Sequence, residues 1–215
     1  MTTFEHISRF LALRRPAILE SPGRIRAAVA LILREREQGA EVLFIERAAR
    51  DGDPWSGDIG FPGGKLEEAD DTPRQTAERE TLEEIGLDLR GSAYIGHLCD
   101  ITGARLPVQV SCHVYGARDI APFILSHEVR DLFWVSLADL DSPGRHITAP
   151  FQFGGEFFVQ PAIRLPQAGK PLLWGITYRL VMEFLRLFRE SATADEPAYD
   201  SVTHGLPDKL NNKKV

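Results

Sequence analysis

The chain has 215 residues, 43% hydrophobic and 26% charged, which is enough for one generous domain with a buried core. A formal net charge of -6 excludes the broad basic field that holds nucleic acid, and no polybasic run offers itself to an anionic membrane surface. No apolar stretch approaches the roughly 20 residues of a membrane helix, and residues 1–10 lack the basic start and apolar run of a leader, so a soluble cytoplasmic protein is expected.

Phe4, Ile7, Phe10, Leu11 and Leu13 recur at the spacing of one helical face, which predicts a short docking helix. After the breakers Pro16, Pro22 and Gly23, residues 27–33 and 41–46 read as neighbouring strands separated by a polar turn near Gly39. Residues 47–64 are rich in Gly, Asp and Pro, with Trp55 among them, as suits a functional loop. A helix is expected over residues 73–85. Thr72 is its N-cap, Pro73 its first residue, Gln75 completes a capping box, and Gly86 ends it in the left-handed conformation. Strands are expected at 94–98, 108–115, 133–137 and 157–163. A last helix over 174–189 presents Ile176, Leu180, Phe184, Leu187 and Phe188 to the sheet. The pattern is α+β. Residues 191–215 lose all periodicity and read as a flexible tail, leaving 1–23 as N-terminal helix and linker and 24–190 as the main domain.

Chemistry concentrates on the central helix, where Arg79, Glu80, Glu83 and Glu84 are followed by Ile85, Gly86 and Leu87. Glu80, Glu83 and Glu84 are related by three and four residues, so three carboxylates project from one face. Bare, they repel by roughly 0.2 to 0.5 kcal/mol per pair, and a hard divalent cation would compensate. Oxygen donors without a Cys or His cluster indicate magnesium or manganese, ions that share their shells with phosphate. Gly63 and Gly64 allow backbone to approach a ligand closely, and Arg79 orients a neighbouring carboxylate. A solvated acidic helix face is the plain alternative. The glycine pair, capped start, Arg-Glu pair, Glu-Glu pair and closing glycine within residues 64–87 favour a site.

This stretch resembles the box of the Nudix hydrolase family, Gly-x5-Glu-x7-Arg-Glu-U-x-Glu-Glu-x-Gly-U, where U is apolar. Residues 79–87 match it except that Thr81 stands at an apolar position. Asp71 occupies the upstream Glu position, and Gly64 lies one residue too far from it, a one-residue insertion. That insertion, Phe61-Pro62-Gly63-Gly64 and Trp174-Gly175-Ile176-Thr177 are similar to the coenzyme A pyrophosphatase subfamily. Arg47-Ala48 and Gly57 also fit it, whereas Asp53 and Pro54 stand where that subfamily has an Arg. The resemblance implies an α/β/α sandwich around a mixed sheet, with the box as loop, helix and loop. It implies a pyrophosphohydrolase using magnesium or manganese, with Glu80 and Glu84 as metal ligands and Glu83 as a further ligand or the group that polarises water. The Gly64 carbonyl would touch the metal, and Arg79 would belong to the catalytic set. The implied substrate is coenzyme A or acyl-CoA, giving adenosine 3',5'-bisphosphate and 4'-phosphopantetheine. The alternatives are NADH, ADP-ribose or a nucleoside triphosphate, or a non-catalytic ligand sensor on the same fold.

Several other residues carry two readings each. Trp55 either stacks on an adenine or anchors its loop, and Arg47 and Arg50 either hold phosphate or are surface charges. Glu128 is either a distal base or a solvated loop charge. Trp174 packs in the core or, by subfamily analogy, lines a pantetheine channel. His97, His113 and His127 form no metal-spaced motif and are expected to be satisfied, partly buried side chains. Cys99 and Cys112 are expected as buried free thiols.

Overall fold

The computed structural model describes residues 3–14, 16–19, 22–53, 55–117, 122–153 and 155–194. Helix α1 (Thr3–Ala12) buries Ile7 and Leu11 as their spacing predicts. Leu13, assigned to the same face, lies beyond the helix and is 84% exposed, which corrects the expected stripe. The side chain of Phe4 lies outside the described residues. Strands β1 (Ile25–Arg36) and β2 (Gly39–Arg47) form an antiparallel hairpin. The segment expected as loop over 47–64 carries two short strands, β3 (Ile59–Gly60) on β2 and β4 (Gly63–Lys65) on β1.

Helix α2 (Pro73–Ile85) has the bounds its caps predict. The Thr72 hydroxyl accepts from the Gln75 N–H, the Gln75 side chain accepts from the Thr72 N–H, and Gly86 closes the helix at φ 72°. Thr81 tolerates its buried box position because its hydroxyl donates to the Ala77 carbonyl at 2.6 Å, leaving its methyl to pack. There follow β5 (Ala93–His97), β6 (Ile101–Thr102), β7 (Val108–Gly116) and β8 (Val129–Ser136), then α3 (Leu137–Asp141), the hairpin β9 (His146–Phe153) and β10 (Glu156–Ile163), and α4 (Gly175–Ala194).

The strand order is β3-β2-β1-β7-β5, with β4, β6 and β8 adding to β1, β7 and β2. β1 and β7 are parallel and the other described pairings antiparallel, so the sheet is mixed. Strand alternation assigns the two faces to two layers of helix. Ala28, Ala30 and Ile32 of β1 share a core with Ala77 and Ile85 of α2, whereas Leu31 and Leu33 pack with Leu180 and Phe184 of α4. Burial on both faces explains why residues 27–33 read as one continuous apolar run. The α/β/α sandwich is as expected.

Three element assignments need correction. β9 was not foreseen, because Pro150 interrupts its pattern; in a two-stranded ribbon it does not have to donate to an inner ladder. The strand placed at 133–137 begins at Val129 and stops at Ser136, whose hydroxyl accepts from the Asp139 N–H and turns the chain into α3. α4 continues to Ala194, so four residues assigned to the tail are helical. Residues 195–215 lie outside the described residues, as does Pro54. No described helix is long and apolar enough to cross a membrane.

Candidate active site

Two side-chain-free residues bring α2 onto the sheet. A Cβ on Gly63 would lie 2.2 Å from the Ala28 carbonyl oxygen, so only glycine lets β4 seat against β1 here. A Cβ on Gly64 would lie 2.3 Å from Glu80 Oε1, which shows how closely that carboxylate rests on the strand. The Gly63 N–H donates to Glu84 Oε2 at 2.9 Å. Glu80 and Glu84, one turn apart, are thus both docked on the glycine pair.

Arg79 fixes this arrangement. Its Nη1 donates to Glu80 Oε1 and Glu83 Oε2 at 3.1 and 3.2 Å, and its Nη2 to the Lys65 carbonyl at 3.2 Å. Its Nε and Nη2 form a fork on the two oxygens of Asp70, at 3.1 and 2.9 Å. Asp70 also accepts from Thr76 Oγ1 and the Glu67 N–H. The Arg79 hydrogen bond, foremost, holds the Asp70 carboxyl down at about 2, and the same bond raises the proton affinity of Arg79. Sequence reasoning looked to Asp71 and missed Asp70. The adjacent Asp and the one-residue insertion were the signal that could have found it.

A cavity of about 500 Å³ opens beside the glycine pair, lined by Glu80, Glu84, Glu128, Arg47, Trp55 and Trp174 among others. Glu83 is not on that lining, and its side chain is 59% exposed. Glu80 and Glu84 face the cavity, and Glu83 is joined to Glu80 through the shared Arg79 Nη1. Glu84 is 4% exposed, and burial pushes its carboxyl up to about 7 against the opposing effects of the Gly63 N–H and the Arg47 charge. Burial likewise raises Glu80, with Arg79 opposing. Two neighbouring carboxylates disfavoured as anions by their own burial form a donor set suited to a hard dication. Among the described residues no three His, Cys, Asp or Glu side chains gather as a ready metal cluster. An ion here would use the pair, the Gly64 carbonyl and solvent or substrate oxygens.

Arg47 Nη1 lies 3.8 Å from Glu84 Oε1, while its Nη2 donates to Asp53 Oδ2 at 2.9 Å, so Asp53, standing where the subfamily has an Arg, holds Arg47 instead. Arg50 pairs with Glu128 at 3.4 Å, and the Ala48 N–H donates to the Glu128 carbonyl, which brings the loop before β8 over the cavity. That loop also docks on the end of α2, through Ser126 N–H to Glu84 O and Ile124 N–H to Ile85 O. Trp55 lines the cavity and packs on the core. Trp174 stacks on Phe151 with centroids 4.4 Å apart and donates its indole N–H to Asp58 at 2.9 Å. Asp58, whose carboxyl burial raises, carried no sequence signal.

The expectation of satisfied, partly buried histidines holds in part for His97 and His113, which lie together on the face of the sheet that α2 covers. Their rings stack at 4.7 Å; His113 Nδ1 bonds the Tyr94 hydroxyl at 3.2 Å and His97 Nε2 lies 3.2 Å from Asp100 Oδ1, whereas the buried Nε2 of His113 has no partner among the described residues. Cys112 is buried, and burial raises its thiol; Cys99 is only half-buried.

The NUDIX domain model matches residues 23–153 of the 215-residue chain. The chain belongs to the Nudix family. Probable nudix hydrolase C6G9.05 of Schizosaccharomyces pombe is 25% identical over 205 residues, 93% of this chain and 70% of that protein. Mitochondrial coenzyme A diphosphatase NUDT8 of Homo sapiens is 30% identical over 147 residues, 66% of this chain and 60% of that protein. The uncharacterized protein C14C4.10c of S. pombe is matched over 15% of its length, so the chain spans only part of several curated relatives. Among solved structures, the Nudix domain of Shewanella oneidensis NrtR, complexed with ADP ribose, superposes with a TM-score of 0.50 at 19% identity, covering 86% of this chain and 97% of that one. At that identity the likeness is one of Nudix fold alone. Within this fold Gly63, Gly64 and α2 are the Nudix box, and Asp70 supplies the acidic partner of its arginine.

Proposed function

We propose that this Nudix protein is a metal-dependent pyrophosphohydrolase that cleaves the diphosphate of a nucleoside diphosphate derivative, with coenzyme A or an acyl-CoA as substrate. The observation that carries the reading is the docking of Glu80 and Glu84 on Gly63 and Gly64 at the cavity wall. Glu80, Glu84 and the Gly64 carbonyl would hold magnesium or manganese. When bound, such an ion neutralises charge on the diphosphate and its leaving oxygen.

The chain's own groups do the rest. Arg79 orients Glu80 and opposes the effect of burial on its carboxyl, and is itself held by Asp70. The Gly63 N–H fixes one oxygen of Glu84, so the carboxylate does not have to reorganise during the reaction. Arg47, on the cavity lining and paired with Asp53, would exchange part of that pairing for a phosphate oxygen, and Trp55 on the same lining would offer an aromatic face to a base. Glu128, on the cavity lining, takes the proton of the attacking water; Glu83, outside it, helps to position Arg79. The water oxygen bonds to one phosphorus, the bond from that phosphorus to the bridging oxygen breaks, and the bridging oxygen leaves on the other phosphate.

The likeness to a protein named coenzyme A diphosphatase supports this substrate. A second reading keeps the bond and changes the substrate to NADH or ADP-ribose, because Asp53 neutralises Arg47. We assign the cytoplasm, although the relative NUDT8 is named as mitochondrial, and fractionation of cells expressing the tagged chain would check the placement.

The test is to incubate the protein with coenzyme A, NADH and ADP-ribose, with magnesium, manganese or chelator, and to identify products by mass. Adenosine bisphosphate and phosphopantetheine should form only with metal, and Glu84→Gln should lower the rate at least about 100-fold. Cleavage of NADH or ADP-ribose alone would transfer the assignment to the second reading. No cleavage of any of them would refute the activity.

A further inference from the structure

The cavity has a second, positively charged end that the proposed chemistry does not use. Its floor is the α4-facing side of β1, through Ile25, Ala27 and Val29. Along that strand Gly63 sits opposite Val29 and Lys65 opposite Ala27, and the Ile25 N–H donates to Pro107 at the end of the β6–β7 loop. Moving four residues from Val29 to Ile25, about 13 Å at strand spacing, leads from the Glu80 and Glu84 carboxylates to the loop that carries Arg105.

Cations outnumber carboxylates at this end. Arg105 Cζ lies over the Phe158 ring, 3.8 Å from its centroid, with an exposed pairing to Glu156 at 3.3 Å. Arg179 of α4 donates Nη1 to the Thr102 carbonyl at 2.7 Å, and no carboxylate among the described residues answers its charge. Lys65 lines the same wall, again with no carboxylate partner among the described residues. In a chain of net charge -6, Lys65, Arg105 and Arg179 all line the cavity away from Glu84 and Glu128, with Glu67 the carboxylate on the wall beside Lys65. The backbone bond fixes one arm of Arg179 and leaves its other donors free, the arrangement that suits a fork on phosphate oxygens.

We propose that Arg105 and Arg179, assisted by Lys65, form a subsite for a phosphomonoester that the substrate carries apart from its scissile diphosphate. The ribose of the nucleoside joins the two anions. The inference rests on the hydrolase reading and narrows it to substrates with a third phosphate, such as coenzyme A with its ribose 3'-phosphate, over dephospho-coenzyme A, NADH and ADP-ribose.

The test compares coenzyme A with dephospho-coenzyme A, both as kcat/KM with metal and as calorimetric affinity in chelator. The wild type should favour coenzyme A at least about tenfold by both readouts. In Arg105→Gln/Arg179→Gln the ratio should fall toward one; because both substrates are compared on the same protein, a general loss of active fraction cancels. If the double variant does not fold, the wild-type preference is followed against ionic strength, where it should shrink with added salt. Equal affinity of the wild type for the two ligands, a preference insensitive to salt, or a preference that survives the double substitution would overturn the subsite. Affinity for coenzyme A without any turnover would defeat the hydrolase reading and leave the subsite standing. Competition by inorganic phosphate equally against both ligands would also overturn it, since that would place phosphate at the diphosphate end.

Discussion

Arg79 shows how a single residue organises the candidate chemistry, because it binds the carboxylate that would face a metal, the outer Glu83, and a deeper anion together. The deeper anion is Asp70, whose oxygens are otherwise taken by Thr76 and the Glu67 N–H. Asp70→Asn should therefore release the guanidinium and lower kcat about 10- to 100-fold while the chain still folds. Asp71→Asn, one residue along, should leave kcat within about twofold, since its carboxylate has no such contact. Steady-state kinetics on both variants, with circular dichroism as the folding control, reads the contrast; equal losses would return the role to Asp71. The residue-scale pattern was half legible. Arg79, Glu80 and Glu84 stand out by helical spacing, whereas Asp70 and Asp58 reach their partners across a loop whose path no periodicity records.

The decisive contact between elements is α2 on β4, made possible by two glycines that fail differently when given a side chain. At Gly63 the new Cβ would strike the Ala28 carbonyl, backbone of the central strand, so the β1–β4 pairing must shift. Gly63→Ala should cost about 1 to 3 kcal/mol of stability. At Gly64 the clash is with the end of the Glu80 side chain, which can swing away. Gly64→Ala should keep most of the stability and lose most of the activity. Denaturant melts beside rate measurements separate the two, and an active, normally stable Gly63→Ala would contradict the packing argument. The bounds of α2 were readable because caps are local chemistry between Thr72, Gln75 and Gly86. β4 was not, since three residues of Gly-Gly-Lys become a strand only by pairing with β1. β9 escaped for the same reason, Pro150 being acceptable only in the ribbon it forms with β10.

Across the whole molecule, titratable groups sit on both sides of the sheet, and the histidine pair on the α2-facing side sets an acid limit on folding. Burial foremost, with His97 beside it, lowers His113 to about 3, from 6.5 in the unfolded chain. The unfolded chain thus binds the extra proton between those values, so the His113 contribution is complete above 6.5 and is lost as pH falls toward 3. Stability should drop by up to about 1.4 kcal/mol per pH unit in that window. His113→Phe should flatten the slope between about pH 4.5 and 6.5, read as denaturant midpoints against pH; an unchanged slope would assign the acid sensitivity elsewhere. The global architecture was legible from strands buried on both faces between amphipathic helices, because alternation and helical period report which layer each side chain enters. What they do not report is where the layers open, and the cavity with its acidic and basic ends emerges only from the assembled fold. The central claim, that Glu80 and Glu84 on the glycine pair hold a divalent ion, is tested most directly by titrating manganese and following the free-ion signal by electron paramagnetic resonance. Binding should be present in the wild type and in Asp71→Asn and absent from Glu80→Gln/Glu84→Gln. Undiminished binding in that double variant would contradict the account.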